Sequence, residues 1–223
     1  MAKPPARGGA PDVTADLLPD DVLEASSVVA NRAMNRERRL AGRDGYSRVL
    51  GFDIPGLPAG ARWLDLCCGS GRALLDAAEA RPDLDITGVD LVGYFAAAGP
   101  VRFVTASITA WRPAGRFDLV TCVHGLHYVG DKLGALLRAA SWLSDGGVFV
   151  ANFDIAGIQT PGETRRVLRA LREAGFEYDA RSHRIRRDGP FAGTLPFRYL
   201  GADDRAGPNY TGQPAVHSYY SAL

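Results

Sequence analysis

Asp65, Gly69, Gly71 and Asp90, followed by His124 and His127, are the residues whose types and spacing suit chemistry. Gly69 and Gly71 lie in Asp65-Leu66-Cys67-Cys68-Gly69-Ser70-Gly71, between an apolar run and a helix-forming run. Backbone without a Cβ turns sharply and approaches a ligand closely. The helix start that follows offers unpaired N–H groups. Asp90 ends the next apolar run about twenty residues on, the spacing from a first βα turn to a ribose-binding acid. His124 and His127 follow a later apolar run, and either imidazole can take a proton near neutrality.

The type of ligand follows from Asp65 and Leu74. A dinucleotide fingerprint has a third small residue where this chain has Leu74. A carboxylate at Asp65, at the end of the strand, repels a pyrophosphate and attracts an ammonium. S-adenosylmethionine carries an ammonium and a sulfonium and no phosphate, so charge complementarity selects it. A nicotinamide-dependent oxidoreductase is the second reading, and a non-catalytic binder of an adenosyl ligand the third. Cys67 and Cys68 read as small packing residues beside the ligand. The His-x-x-His pair has no third metal ligand near it in sequence, so no metal is expected.

These residues need a sheet to position them. Strands are expected at 62–67, 85–90, 101–105, 117–123 and 147–153, with helices at 72–80, 131–143 and 162–174. Such alternation implies a mainly parallel, doubly wound α/β sheet with right-handed crossovers. Residues 176–188 and 195–200 form two β-rich runs joined by a Gly/Pro turn, which predicts a closing antiparallel hairpin. Ahead of the core, a helix is predicted from Asp20 or Asp21 past Met34, carrying Arg32, Arg36, Arg38 and Arg39 near its C-terminal end as a solvated face, contact with an anionic substrate being the alternative, and a shorter one from Asp44 to Leu50. The expected organisation is a loosely ordered tail over 1–19 and one domain over 20–223. Within it, 20–60 is a helical cover, 61–200 the core and 201–223 an extended C-terminal tail.

Composition bounds the rest. The 223 residues are 46% hydrophobic and 23% charged with a net charge of +1, which suits a globular chain with no strong field for nucleic acid or membrane. Three Cys make no disulfide framework, and with no secretory h-region a cytoplasmic location is expected. No apolar run reaches the roughly 18 residues of a membrane span.

The ordered motifs resemble the class I S-adenosylmethionine-dependent methyltransferase family. The likeness lies in the segment 65–71, with Cys in place of the first Gly, and in Thr87-Gly88-Val89-Asp90. It continues through 117–124, the turn Ser144-Asp145-Gly146-Gly147 and Ala174-Gly175-Phe176, so it covers roughly residues 60–200. The resemblance implies a Rossmann-like, seven-stranded sheet and methyl transfer from S-adenosylmethionine, leaving S-adenosylhomocysteine. It implies that Asp65 supports the ammonium, that Gly69 and Gly71 make room for the aminoacyl arm, that Asp90 takes the ribose hydroxyls and that Leu91 packs on adenine. Ser107 falls where many members carry an acid for the adenine amine. Tyr46, Cys67 and Val123 complete the expected cofactor contacts.

The acceptor is expected to be a small molecule, of the specialised-metabolite kind, handled by a monomer or homodimer. It is placed between the N-terminal helix, the loop 124–128 and residues 152–154, with Tyr46, Trp111 and the C-terminal tyrosines as walls. His124 and His127 are the candidate general bases.

Overall fold

The computed structural model describes residues 16–30, 38–97, 99–160 and 164–223. Residues 1–15 of the expected tail over 1–19, and the positions Arg32, Met34 and Arg36, lie outside these residues.

The central element is β1, Arg62–Leu66, in which the last four residues are buried. It pairs in parallel with β2 (Asp85–Asp90) on one side and β4 (Phe117–Cys122) on the other. Outward from β2 lies β3 (Arg102–Thr105), and outward from β4 lies β5 (Leu143–Asn152), both parallel. Strands buried on both faces carry mostly apolar runs, and Trp63–Leu66 and Leu119–Cys122 are apolar but for Asp65 and Thr121, which bond to each other. Two antiparallel strands, β7 (Phe176–Asp179) and β8 (Arg184–Asp188), complete a seven-stranded sheet of order β3-β2-β1-β4-β5-β8-β7.

Helices cover the sheet. On α3 (Arg72–Ala80) the residues Ala73, Leu74, Ala77 and Ala78 form the buried face at helical spacing. Gly88 lets that helix settle on β2, since a Cβ there would lie 2.7 Å from Leu74 Cδ2 and 2.9 Å from Cys68 Sγ. Burying a side chain such as Leu74 contributes about 1.5–3 kcal/mol. On α4 (Lys132–Ser141), Asp131 caps the first turn by accepting from Gly134 N at 2.9 Å, and α5 (Thr164–Glu173) packs through Val167, Ala170 and Leu171.

Four local expectations are corrected. The run 176–188 is a hairpin and not one strand. Asp179 Oδ1 accepts from Arg181 N at 2.9 Å, its other oxygen takes Ser182 Oγ–H, and His183 adopts φ 50°. Such a side-chain-closed turn breaks a strand. The expected partner run joins a second sheet instead, as β9 (Phe197–Asp203) beside β10 (His217–Ala222), with β6 (Ile158–Gln159) on the far side of β10. The C-terminal residues therefore end in a strand where an extended tail is expected. At the N-terminus, α1 covers only Asp20–Glu24 before turns take over. There Ser26 Oγ accepts from Val29 N at 3.4 Å, a local bond that competes with continuing helix. The second cover helix, α2, spans Tyr46–Leu50 as expected.

The second sheet is fixed to both cover and core. Leu18 and Ala202 exchange backbone bonds of 2.8 and 3.1 Å, and Tyr199 Oη donates to Asp20 Oδ1 at 2.9 Å. Tyr220 Oη accepts from Leu133 N at 2.9 Å and donates to Asp131 Oδ1 at 3.0 Å, seating β10 on the start of α4.

Candidate active site

Strand order reverses between β1 and β4, the point in an open parallel sheet where ligands bind beyond the carboxyl ends. A cavity opens there. Its walls include Cys67 and Cys68 after β1, Asp90, Leu91 and Val92 after β2, Ser107 after β3, and Val123 and His124 after β4. Tyr46 from α2, His127 and Tyr128 also line it.

Asp90 is held in place by the turn it serves. Its Oδ2 accepts from Gly69 N at 2.8 Å and its Oδ1 from Val92 N at 2.9 Å. Only 8% of the residue is exposed, and burial raises its carboxyl above the usual range against those two bonds. A carboxylate has about four acceptor sites, so two remain for hydroxyls arriving from the cavity.

Asp65 lies deeper, fully buried and outside the cavity lining. Tyr46 Oη donates to its Oδ2 at 2.9 Å and Thr121 Oγ1 to its Oδ1 at 2.5 Å, while Trp63 Nε1 donates to Thr121 Oγ1 at 2.8 Å. Burial pushes the Asp65 carboxyl up to about 7, opposed by the Thr121 and Tyr46 bonds and assisted by the charge of Asp90. Its link to the cavity is Tyr46, which touches both.

The two glycines of the turn differ in what they do. Gly69 presents its N–H to Asp90. Gly71, at φ 73°, owes its missing Cβ to Phe103, whose ring would lie 2.3 Å from the added atom. Neither is among the residues that line the cavity, while Ser70 between them is. Cys67 takes φ 54°, a left-handed conformation that favours glycine, where the family pattern has one. Gly125 lets the loop after β4 press on this turn, since its Cβ would fall 2.3 Å from Cys67 Cβ.

The histidines part in character. His127 is 2% exposed, and its Nε2 is buried with no hydrogen-bond partner among the described residues. Burial, then the positive neighbours His124, Lys132 and His183, pulls its imidazole down to about 3, so the ring is neutral near pH 7. His124, at φ 59°, donates its N–H to Asn152 Oδ1 at 3.3 Å, and its Nδ1 stands 3.4 Å from Tyr210 Oη. Tyr210 also meets the His127 ring edge-on at 5.2 Å and stacks on His183 at 3.9 Å.

Residues 152–154 do not line the cavity. Asn152 acts from beneath His124, Phe153 is fully buried, and Thr211 and Gln213 form the wall instead. Trp111 packs on Trp142 with ring centroids 5.7 Å apart and is likewise no wall. Glu24, Arg72, Thr211 and Gln213 line the cavity without having been marked in sequence, and Arg38, expected on a solvated face, lines it too. Charge at Glu24 and Arg38 was visible, but only folding brings residues so distant in sequence to one crevice. Among the described residues no group of three or more His, Cys, Asp or Glu is placed to hold a metal ion. Among the described residues no helix is long and apolar enough to cross a membrane.

A doubly wound sheet with an acid at the β2 end and a crevice at the switch point defines a nucleoside-binding α/β protein. Residues 34–156, more than half of the chain, match the family described as "Methyltransferase domain", and the chain belongs to that family. It is 32% identical over 136 residues to a ubiquinone biosynthesis O-methyltransferase of Xanthomonas axonopodis pv. citri (strain 306), covering 56% of this chain and 52% of that protein. A protein of the same description from Bordetella avium (strain 197N) is 29% identical over 106 residues, with 43% of each chain covered. The chain thus spans about half the length of the curated relatives it matches. Among solved structures it is similar to CalS10, an amino pentose methyltransferase from Micromonospora echinaspora, at 24% identity and a TM-score of 0.37 over 48% of this chain and 46% of that one.

The family's cofactor is S-adenosylmethionine, and the cavity residues fit it. Asp90 retains acceptor capacity for ribose hydroxyls, and Leu91, Val92 and Ile108 offer apolar surface to a purine. Asp65 stands buried behind Tyr46, its carboxyl pushed up to about 7, so that its charge grows as pH rises through that value. The match to the methyltransferase family, with Leu74 where a dinucleotide fingerprint has a small residue, sets the oxidoreductase reading aside.

Proposed function

We propose that the protein transfers a methyl group from S-adenosylmethionine to a hydroxyl of a small-molecule acceptor. The observation that carries the reading is one crevice with Asp90 at the β2 end and His124, His127 and Tyr128 beside β4. When bound, S-adenosylmethionine supplies a methyl already activated by its sulfonium.

The remaining work falls to the chain. Asp90 accepts from the ribose hydroxyls and fixes the cofactor's depth. Asp65, ionised, offsets the ammonium charge through the wall formed by Tyr46. His124 takes the proton from the acceptor hydroxyl, and Tyr210 orients its ring. His127 binds rather than titrates, because a ring pulled to about 3 is a weak base near neutrality and its buried Nε2 lacks a partner. Tyr128, Thr211 and Gln213 narrow the mouth and limit water. Positioning of this kind supplies about 7–11 kcal/mol in favourable cases.

The relatives named as O-methyltransferases support an oxygen acceptor, and the crevice between the strand ends and the cover supports a small one, a specialised metabolite being the class we favour. The test is methyl transfer from labelled S-adenosylmethionine to a panel of hydroxylated small molecules, with wild type and His124→Ala. Turnover that falls about 10²–10⁴-fold in the variant supports the reading. Cofactor binding without turnover on any acceptor would favour a non-catalytic member of the fold.

A further inference from the structure

We propose that Glu24, on the short N-terminal helix, is the residue that reads the exocyclic amine of the cofactor's adenine. The inference rests on the cavity being the S-adenosylmethionine site and adds a specificity-determining residue to it.

Glu24 ends α1, far in sequence from every motif of the core, yet its side chain lines the same cavity as Asp90. Its Oε1 accepts from Ser107 Oγ at 2.5 Å and lies 3.4 Å from Thr109 Oγ1. Ser107 Oγ in turn accepts from Thr109 N at 3.1 Å, so its own proton is directed to the carboxylate. Both bonds fall on Oε1. Oε2 is left for a donor entering from the cavity, and an ionised carboxylate there can only accept.

The position fits a base rather than a sugar. Thr105 pairs with Asp90 across β3 and β2, so Ser107 and its bound Glu24 stand at the neighbouring strand end from the ribose acid. Leu91, Val92 and Ile108 lie along the same wall and suit the faces of a purine. Adenine presents an amine donor on its outer edge. Hypoxanthine presents a carbonyl there, which an acceptor-only group repels. A site built to bond a donor rejects the analogue that lacks it.

Glu24 is held by structure and not by chance exposure. Leu23 beside it is 1% exposed, and the paired backbone bonds of Leu18 with Ala202 tie α1 to β9. The Tyr199–Asp20 bond adds a third tie. The second sheet thereby sets the reach of a cofactor contact that the core itself does not supply.

The experiment is calorimetric titration of wild type and Glu24→Gln with S-adenosylhomocysteine and with S-inosylhomocysteine, each variant first checked for an unchanged unfolding transition. Wild type is expected to prefer the adenosyl ligand by about tenfold or more, the scale of a hydrogen bond to a charged group. Glu24→Gln is expected to weaken the adenosyl ligand by about tenfold and to narrow or reverse the preference, because an amide can donate to the inosyl carbonyl. Equal weakening of both ligands, or none, overturns the assignment while leaving the cofactor reading intact. No binding of S-adenosylhomocysteine by wild type removes the cofactor reading and this assignment with it.

Discussion

Tyr46 Oη donates to Asp65 Oδ2 at 2.9 Å, joining a cavity wall to a fully buried carboxylate. With Asp65 pushed up to about 7, the charge behind that wall switches within the physiological range. Affinity for an ammonium-bearing ligand is expected to rise with pH through about 7 and then level. Tyr46→Phe removes a bond that lowers the Asp65 carboxyl, so it shifts this rise to higher pH and weakens binding at pH 7. Dissociation constants for S-adenosylhomocysteine between pH 5.5 and 9, with adenosine as a ligand lacking the ammonium, check this. Adenosine should lack the rise.

The same group sets a pH slope on stability. Folded Asp65 keeps its proton up to about 7, whereas an unfolded Asp loses it near 4, so between these values the folded state binds more protons. Its contribution is complete below the unfolded value and is lost as pH rises through about 7. Asp65→Asn removes this component. Melting curves of the ligand-free protein across pH 4–8 should fall less steeply in the variant than in wild type.

His127 and His124 are expected to separate kinetically. His127→Asn should raise KM for the acceptor by about tenfold with kcat within about twofold, since a buried binding group is replaced without loss of a base. His124→Ala should lower kcat by about 10²–10⁴-fold. Steady-state kinetics on one acceptor decide between these patterns. Equal losses of kcat in both variants would contradict the division of roles.

Much of the core was legible because Gly and charged residues punctuate short apolar runs. The runs ending at Leu66 and Asp90, and the acid positions themselves, are properties of local sequence. The break at 179–183 was not, because it depends on Asp179 closing a turn within a run whose β propensity is otherwise continuous. The placement of β9 and β10 was not legible either. It depends on Leu18, Tyr199 and Tyr220 meeting partners more than 80 positions away. Glu24 and Gln213 enter the cavity only through that second sheet, so local motifs do not mark them.

Lys132 is the buried tie of that sheet to the core. Its Nζ donates to Val129 O at 2.9 Å, Val216 O at 2.7 Å and Ser218 Oγ at 3.0 Å, and burial lowers it to about 7. Lys132→Met keeps the aliphatic stem but leaves these acceptors without their donor, at an expected cost of about 2–4 kcal/mol. Urea unfolding measures it. A loss confined to a few tenths of a kcal/mol would contradict the role.

The press of Gly125 on Cys67 is testable by rescue. Gly125→Ala is expected to destabilise by about 1–3 kcal/mol through overpacking. Cys67→Gly removes two of the three atoms that the new methyl would meet and relieves a positive φ, so the double variant should recover part of the loss, the contact with Cys122 Sγ at 2.8 Å remaining. Additive losses in thermal unfolding would contradict the contact.

The most direct measurement of the central claim is calorimetric titration of the wild-type protein and Asp90→Asn with S-adenosylhomocysteine at one pH. The account predicts saturable binding by wild type and a loss of about tenfold or more in the variant, as one charged acceptor for the ribose becomes a neutral amide. No heat with wild type, or equal affinity in the two proteins, would contradict it.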